Sequence, residues 1–188
     1  ILFVLINLAS IVMAYKGKIS VNGFYFSKDK SYDKELRESL RLTSHRGPDS
    51  SGTYFKETKN GFLGLGHNRL SIIDLSSSGA QPMVTGDIRI IFNGEIYNYK
   101  EIRQNLISRG YSFDTSTDTE VILKSYAEYG VDCFTLFRGM FTFVIVDESA
   151  NRVFLVRDSV GIKPLYLYQS DDSLYASSEI KGLKMFPQ

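Results

Sequence analysis

Cysteine is nearly absent: Cys133 is the single one among 188 residues. One thiol excludes an internal disulfide and any metal site built on cysteines. Histidine is scarce too, at His45 and His67 only, which argues against a histidine-rich metal site. An excess of one charge is missing, since 22 basic residues face 21 acidic ones for a formal net charge of +1. That balance offers no basic field for nucleic acid and no acidic tail for a cationic partner. A run long enough to span a bilayer is missing as well. The most apolar stretch, ILFVLINLASIVMA, fills the first 14 residues, against the roughly 20 that a span needs. It has the length of a signal-peptide core, with Val12-Met13-Ala14 as a small-residue cleavage site, but no basic residue precedes it. The other reading is a mis-set start with Met13 as initiator. Residues 1–18 are accordingly set apart as an apolar leader or mis-set start. No internal repeat, low-complexity run or heptad array is present.

What is there suits one folded domain. The chain is 43% hydrophobic, 13% aromatic and 23% charged, enough apolar side chains for a sizeable core. Residues 19–26 read as a strand rich in β-branched and aromatic residues. Leu36 and Leu40 fall at i and i+4, predicting an amphipathic helix from Tyr32 to Thr43. A loop carries Gly47, Pro48 and Gly52, and two strands flank the turn signal Asn60-Gly61. A second loop covers Ser76 to Pro82. Ile88 to Phe92 is an apolar strand running into Asn93-Gly94. Asn98 is placed to cap a helix with Glu101 as reciprocal partner, Ile102 and Leu106 as buried stripe and Gly110 as its end. A further helix starts at Thr117 or Asp118, carries Ile122, Tyr126 and Tyr129 on one face, and stops at Gly130. From Met140 onward FTFVIVD, RVFLVRD, PLYLYQ and SLYAS predict four strands. Many strands with helices grouped between them predict an α+β fold with two antiparallel sheets face to face.

Singly, the polar motifs have plain structural readings. Asn-Gly is usually a turn, an aspartate opening a helix is usually a cap, and an isolated arginine is usually a solvated charge. Together, and in this order, HRGPD (45–49), RLSIIDL (69–75), NGEIYN (93–98), DTEVIL (118–123), GMF (139–141) and GIKPLY (161–166) resemble the glutamine-hydrolysing domain of asparagine synthetase. The match runs from about Gly23 to Leu183. The resemblance implies a class II glutamine amidotransferase domain over 19–188, folded as a four-layer αββα sandwich of the N-terminal-nucleophile hydrolase type. The family hydrolyses glutamine to supply ammonia for ATP-dependent asparagine synthesis from aspartate.

The resemblance also implies a site. Arg69 matches the arginine that holds glutamine's α-carboxylate, a role suited to a guanidinium's paired donors. Asn93 and Gly94 match the oxyanion hole, through the Asn93 side-chain amide and the Gly94 backbone N–H. Glu95 matches a contact to the amino-acid end of the substrate, and Asp118 the partner of its α-ammonium. The family's base is the N-terminal amine, so His45 and His67 are read as structural. Cys133, among apolar residues after a helix end, is read as a small buried hydrophobe.

One position departs from the pattern. With Gly23 as the second glycine of the family's opening, the catalytic cysteine falls on Ile19, whose side chain has no nucleophilic atom. Three explanations follow. The domain is a pseudo-glutaminase, as β-lactam synthetases keep this fold without the cysteine; or the gene start is misassembled; or processing frees Ser20 as an N-terminal nucleophile. The third would point the side chain to the opposite face of the strand. No synthetase motif is seen, since Ser76-Ser77-Ser78-Gly79 is not an ATP-pyrophosphatase loop. The expectations are therefore L-glutamine as ligand, a possible synthetase domain or subunit as partner, and no nucleic acid. No cofactor is expected in this domain, with ATP and Mg confined to a synthetase domain. A cytoplasmic location is expected, or an exported or anchored one if residues 1–14 are a genuine leader.

Overall fold

The computed structural model describes residues 2–5, 21–70 and 77–186. Their strands are β1 (Leu2–Leu5), β2 (Val21–Ser27), β3 (Ser50–Thr58), β4 (Gly61–Arg69), β5 (Met83–Thr85), β6 (Ile88–Ile96), β7 (Gly139–Asp147), β8 (Arg152–Arg157), β9 (Tyr166–Gln169) and β10 (Ser173–Ser177). The helices are α1 (Asp33–Thr43), α2 (Tyr99–Ser108), α3 (Asp118–Tyr129) and α4 (Ile180–Leu183), with short 3-10 turns at Ser44–Arg46, Ser77–Gly79 and Gly130–Thr135. One sheet has the order β1-β8-β7-β6-β5 and the other β3-β4-β2-β10-β9. Every pairing is antiparallel except that of β1 with β8, which is parallel.

Side chains alternate across each strand, so a sheet covered on both faces must be apolar on both. In β7, Phe141, Phe143 and Ile145 join Ile102, Leu106 and Ile122 of α2 and α3, while Val144 and Val146 join Phe24, Leu63 and Leu174 of the other sheet. Tyr25 and Tyr175 on the far face of that second sheet pack with Leu36 of α1 and with Phe186. The layers thus run α2/α3, sheet, sheet, α1/α4. This is the four-layer αββα sandwich the resemblance implies. α1 sits close because β2 and β4 carry small residues beneath it: a Cβ on Gly23 would lie 2.9 Å from Leu36 Cδ1, and one on Gly66 2.8 Å from Leu40 Cδ1.

Two local expectations are corrected. The strand does not end at Phe92; β6 runs through Asn93-Gly94 to Ile96, because β7 pairs with it along its whole length. Asn98 does not cap α2 with its side chain. Its amide instead donates to Leu136 O (3.0 Å) and accepts from Arg138 N (2.9 Å), tying the helix start to the segment before β7. α3 starts at Asp118, one of the two expected positions, with Thr117 as the cap, its hydroxyl accepting from Glu120 N at 3.2 Å, and Asp118 is left for another use. α2 does end at Gly110, in a Schellman arrangement with Tyr111 N donating to Leu106 O and Gly110 N to Ile107 O. Of the leader, only Leu2–Leu5 is described, as the edge strand β1. Ile19, Ser20 and residues 71–76 lie outside the described residues. Among the described residues no helix is long and apolar enough to cross a membrane.

Candidate functional site

The site forms at one end of the layer between the sheets, where β2 begins, β4 and β10 end and β6 passes through. A cavity of about 890 Å³, lined by Phe26, Leu63, Val146 and Leu174, opens at the other end and holds none of the expected residues.

Asn93 lies two residues beyond Ile91 on β6, so it faces the inter-sheet layer and is fully buried. Its Nδ2 donates to Ser178 Oγ at 3.4 Å, and its Oδ1 has no hydrogen-bond partner among the described residues. A half-turn of the carboxamide keeps the contact, now with the Ser178 hydroxyl donating, and presents the NH2 as the unfilled group. Either way one buried polar atom of Asn93 lacks a partner among the described residues, an arrangement suited to a ligand. The strand is held in place on both sides of this residue. Gln81 Oε1 accepts from Phe92 N at 2.6 Å, and Phe92 O accepts from His67 Nε2 at 3.0 Å. Burial pushes the His67 pKa down to about 3, so the ring is neutral and acts as a cross-sheet tie, as the sequence reading expected.

Gly94 has φ +151°, and a Cβ there would lie 2.1 Å from Met140 O. Only glycine fits, which explains an Asn-Gly pair inside a strand. Glu95 follows, exposed at the mouth. Asp118, in the first turn of α3, is 4% exposed, and its Oδ2 accepts from Ile96 N at 3.0 Å. Burial raises its pKa to about 6, against backbone N–H groups of Ile96 and the first helical turn, and the Glu95 charge adds to the rise. Arg69 ends β4, 8% exposed. A Cβ on Gly79 would fall 2.2 Å from Arg69 Nη2 and 3.2 Å from Thr117 Cγ2, so the guanidinium lies over Gly79 beside the start of α3. The residue types expected to hold the two charged groups of an amino acid therefore meet at the N-terminus of α3, with Asn93 and Gly94 on the adjoining strand. Gln81 Nε2 reaches Thr119 Oγ1 at 3.4 Å and ties strand and helix together.

β2 starts at Val21, opposite Asn68 and one place from Arg69. Cys133 is wholly buried in the layer under α2 and α3, beyond the sheet from Asn93, and burial pushes its thiol pKa up. It is a core residue, as expected.

Several participants were not singled out from sequence. Gln81 and Ser178 support Asn93. Glu179 accepts from Arg46 at 2.9 Å and pairs with Lys181 at 2.9 Å and His45 at 3.6 Å. Burial raises the Glu179 pKa, but the Lys181 and Arg46 hydrogen bonds outweigh it and leave the group lowered. Asp158 shapes the loop before β9: Oδ1 accepts from Val160 N and Ile162 N, and Oδ2 from Phe141 N and Lys163 N. A clue was available in the quoted motifs, since Arg46 belongs to HRGPD, but its partner Glu179 lies 133 residues away.

Comparison with known proteins places this geometry. A putative glutamine-hydrolysing asparagine synthetase 2 of Methanocaldococcus jannaschii is 38% identical over 179 residues, covering 87% of this chain and 34% of the relative. A glutamine-hydrolysing asparagine synthetase 1 of Bacillus subtilis is 44% identical over 150 residues, covering 79% and 23%. One of Arabidopsis thaliana is 42% identical over 160 residues, covering 82% and 26%. The chain thus spans about a third or less of these relatives. Among solved structures, glutamine phosphoribosylpyrophosphate amidotransferase of B. subtilis superposes with a TM-score of 0.74 at 19% identity, over 88% of this chain and 43% of the other, and shares its fold. A family profile described as a glutamine amidotransferase domain matches residues 19–188, and the chain belongs to that family.

Proposed function

We propose that this chain is the glutamine-binding domain of an asparagine-synthetase-like protein, with Arg69 on the ligand's α-carboxylate and Asp118 and Glu95 on its α-ammonium. Asn93 and the Gly94 N–H sit at its side-chain amide. The observation that supports this most is the joining of β6 to α3: Asn93-Gly94 lies mid-strand with a buried unfilled polar atom, and Asp118 is bonded three residues on at Ile96. Two opposed charges at fixed separation select a zwitterion, and a polar pair beyond them selects its side chain.

With Ile19 at the thiol's position, this reading makes the domain a pseudo-glutaminase in which the covalent route is missing. Coupling to a synthetase domain or subunit that uses ATP and Mg on aspartate, and a cytoplasmic site of action, complete the proposal. The second reading, an active glutaminase supplying ammonia, is favoured by the retained oxyanion pair and separated by assay. Purified chain should release ammonia from glutamine far below about 1 per second, the low end of ordinary turnover. Calorimetry should show L-glutamine binding that Arg69→Ala weakens at least about tenfold, the loss of a charge-assisted pair. No heat with glutamine up to millimolar concentration would remove the binding role altogether.

A further inference from the structure

The residues expected to hold an amino acid sit on separate elements. Arg69 ends β4, Asn93 and Gly94 lie within β6, and Asp118 opens α3. One short segment, 79–81, reaches each of them. A Cβ on Gly79 would lie 2.2 Å from Arg69 Nη2, so the guanidinium rests on bare backbone there. The Gln81 side chain does the rest. Its Oε1 accepts from Phe92 N at 2.6 Å, one residue before Asn93. Its Nε2 donates to Thr119 Oγ1 at 3.4 Å, one residue after Asp118. Phe92 and Thr119 are both buried.

This side chain is a strut between strand and helix. β5 pairs with β6 no further than Ile90, so the Phe92 N–H beyond it takes a side-chain acceptor in place of a strand. A carboxamide carries one acceptor and one donor group at a fixed spacing, which suits a bridge between a strand N–H and a helix hydroxyl. The backbone beneath is pinned as well: a Cβ on Gly52 of β3 would lie 2.0 Å from Gln81 O. A second link between β6 and α3, from Ile96 N to Asp118 Oδ2 at 3.0 Å, is made by an anchor itself. Gln81 thus holds the position of Asn93 relative to that of Asp118. An amino acid held at α3 by its ammonium brings its amide to Asn93 and Gly94 only if its side chain matches that distance. Glutamine and asparagine carry the same groups and differ by one methylene, so the spacing of the anchors is what tells them apart.

We propose that Gln81 is a positioning residue that determines specificity: by fixing β6 against α3 it makes the groove select L-glutamine over the shorter L-asparagine. This rests on the amino-acid-binding reading of the groove, and it assigns the choice of ligand length to a side chain outside the ligand's own contacts.

Calorimetry on the full chain with L-glutamine and L-asparagine tests it. The unmodified chain should bind glutamine at least about tenfold more tightly, the low end of what one methylene is worth in a fitted site. Gln81→Met keeps the length of the side chain without either hydrogen bond, and should bring the two affinities within about threefold of each other. Gln81→Glu should keep the ratio, because a carboxylate accepts from both Phe92 N and the Thr119 hydroxyl, and its charge acts equally on two ligands with the same ammonium. Thr119→Val cuts one bond with little change of shape. It should lower the ratio in the unmodified chain and leave it alone in Gln81→Met. A general loss of stability would weaken both ligands alike, so the ratio separates positioning from a merely structural role. Asparagine bound as tightly as glutamine by the unmodified chain overturns the proposal, as does an unchanged ratio in folded Gln81→Met. Should circular dichroism show Gln81→Met unfolded, an unchanged ratio in Thr119→Val decides against it. In each of these cases the groove reading stands as long as Arg69→Ala weakens glutamine binding. Binding of neither amino acid by the unmodified chain removes both.

Discussion

Asp118 shows how one side chain can serve the ligand at the expense of the fold. Its carboxyl has a pKa of about 6 in the native state against 3.8 for the unreacted group, and burial is the main cause. A folded pKa raised above the unfolded one means that the native state holds a proton the unfolded chain has lost. The associated stability is fully present below about pH 3.8 and is lost as pH rises through about 6. Asp118→Asn, which keeps the shape and an acceptor for Ile96 N, should therefore stabilise the protein at neutral pH by up to about 3 kcal/mol and flatten the pH 4 to 6 region. Urea midpoints at pH 4 and pH 8 measure both. The same substitution should weaken amino-acid binding, since the ammonium partner is gone. In the unmodified chain the ligand needs Asp118 ionised, so affinity at pH 5 should be about tenfold weaker than at pH 8, with Asp118→Asn showing no such step. A more stable variant that still binds with the normal pH profile would place the α-ammonium elsewhere.

At the scale of elements, β6 carries the site because its partners hold it extended where its own sequence suggests a turn. Gly94 is the sensitive point: Gly94→Ala would put a methyl 2.1 Å from Met140 O at a backbone angle that side chains rarely adopt. We expect a loss of about 3 kcal/mol or more, read as a lower denaturant midpoint with unchanged slope. Thr117→Ala should cost about 1 kcal/mol as a lost cap, and should also weaken ligand binding by loosening the turn that holds Asp118. A stability loss with binding untouched would separate cap from anchor. The contrast between these residues explains what sequence could reveal. Strand positions, α1, the Asn60-Gly61 hairpin and the Gly110 helix end depend on local chemistry and were legible. So was the four-layer sandwich, in strands apolar on both faces and in the motif order. The path of β6 through Asn93-Gly94 was not, because it is imposed by pairing with β7. Asn98 looked like a cap because its competing partners, Leu136 and Arg138, are some forty residues away. Gln81 and Ser178 gain meaning only from neighbours brought in by the fold.

For the molecule as a whole, the arrangement predicts what restoring the family's opening should do. The ends of strands from both sheets meet at the groove, and the layers behind them are closed by the apolar clusters between sheets and helices. If only the nucleophile and its free amine are missing, a protein beginning at position 19 with Ile19→Cys and Ser20→Gly should supply both once the initiator methionine is removed. The thiol would attack the glutamine carbonyl, the α-amine would accept its proton, and Asn93 with the Gly94 N–H would stabilise the oxyanion. Truncation also removes β1, which pairs with the edge of β8. We therefore expect a folded protein with measurable ammonia release from glutamine. Asn93→Ala on that background should lower kcat by about 10²–10³, as loss of one oxyanion donor does, while leaving the denaturant midpoint near that of its parent. A folded double variant that binds glutamine through Arg69 yet releases no ammonia would show that the defect extends beyond position 19, and the reading of a complete site lacking only its nucleophile would fall.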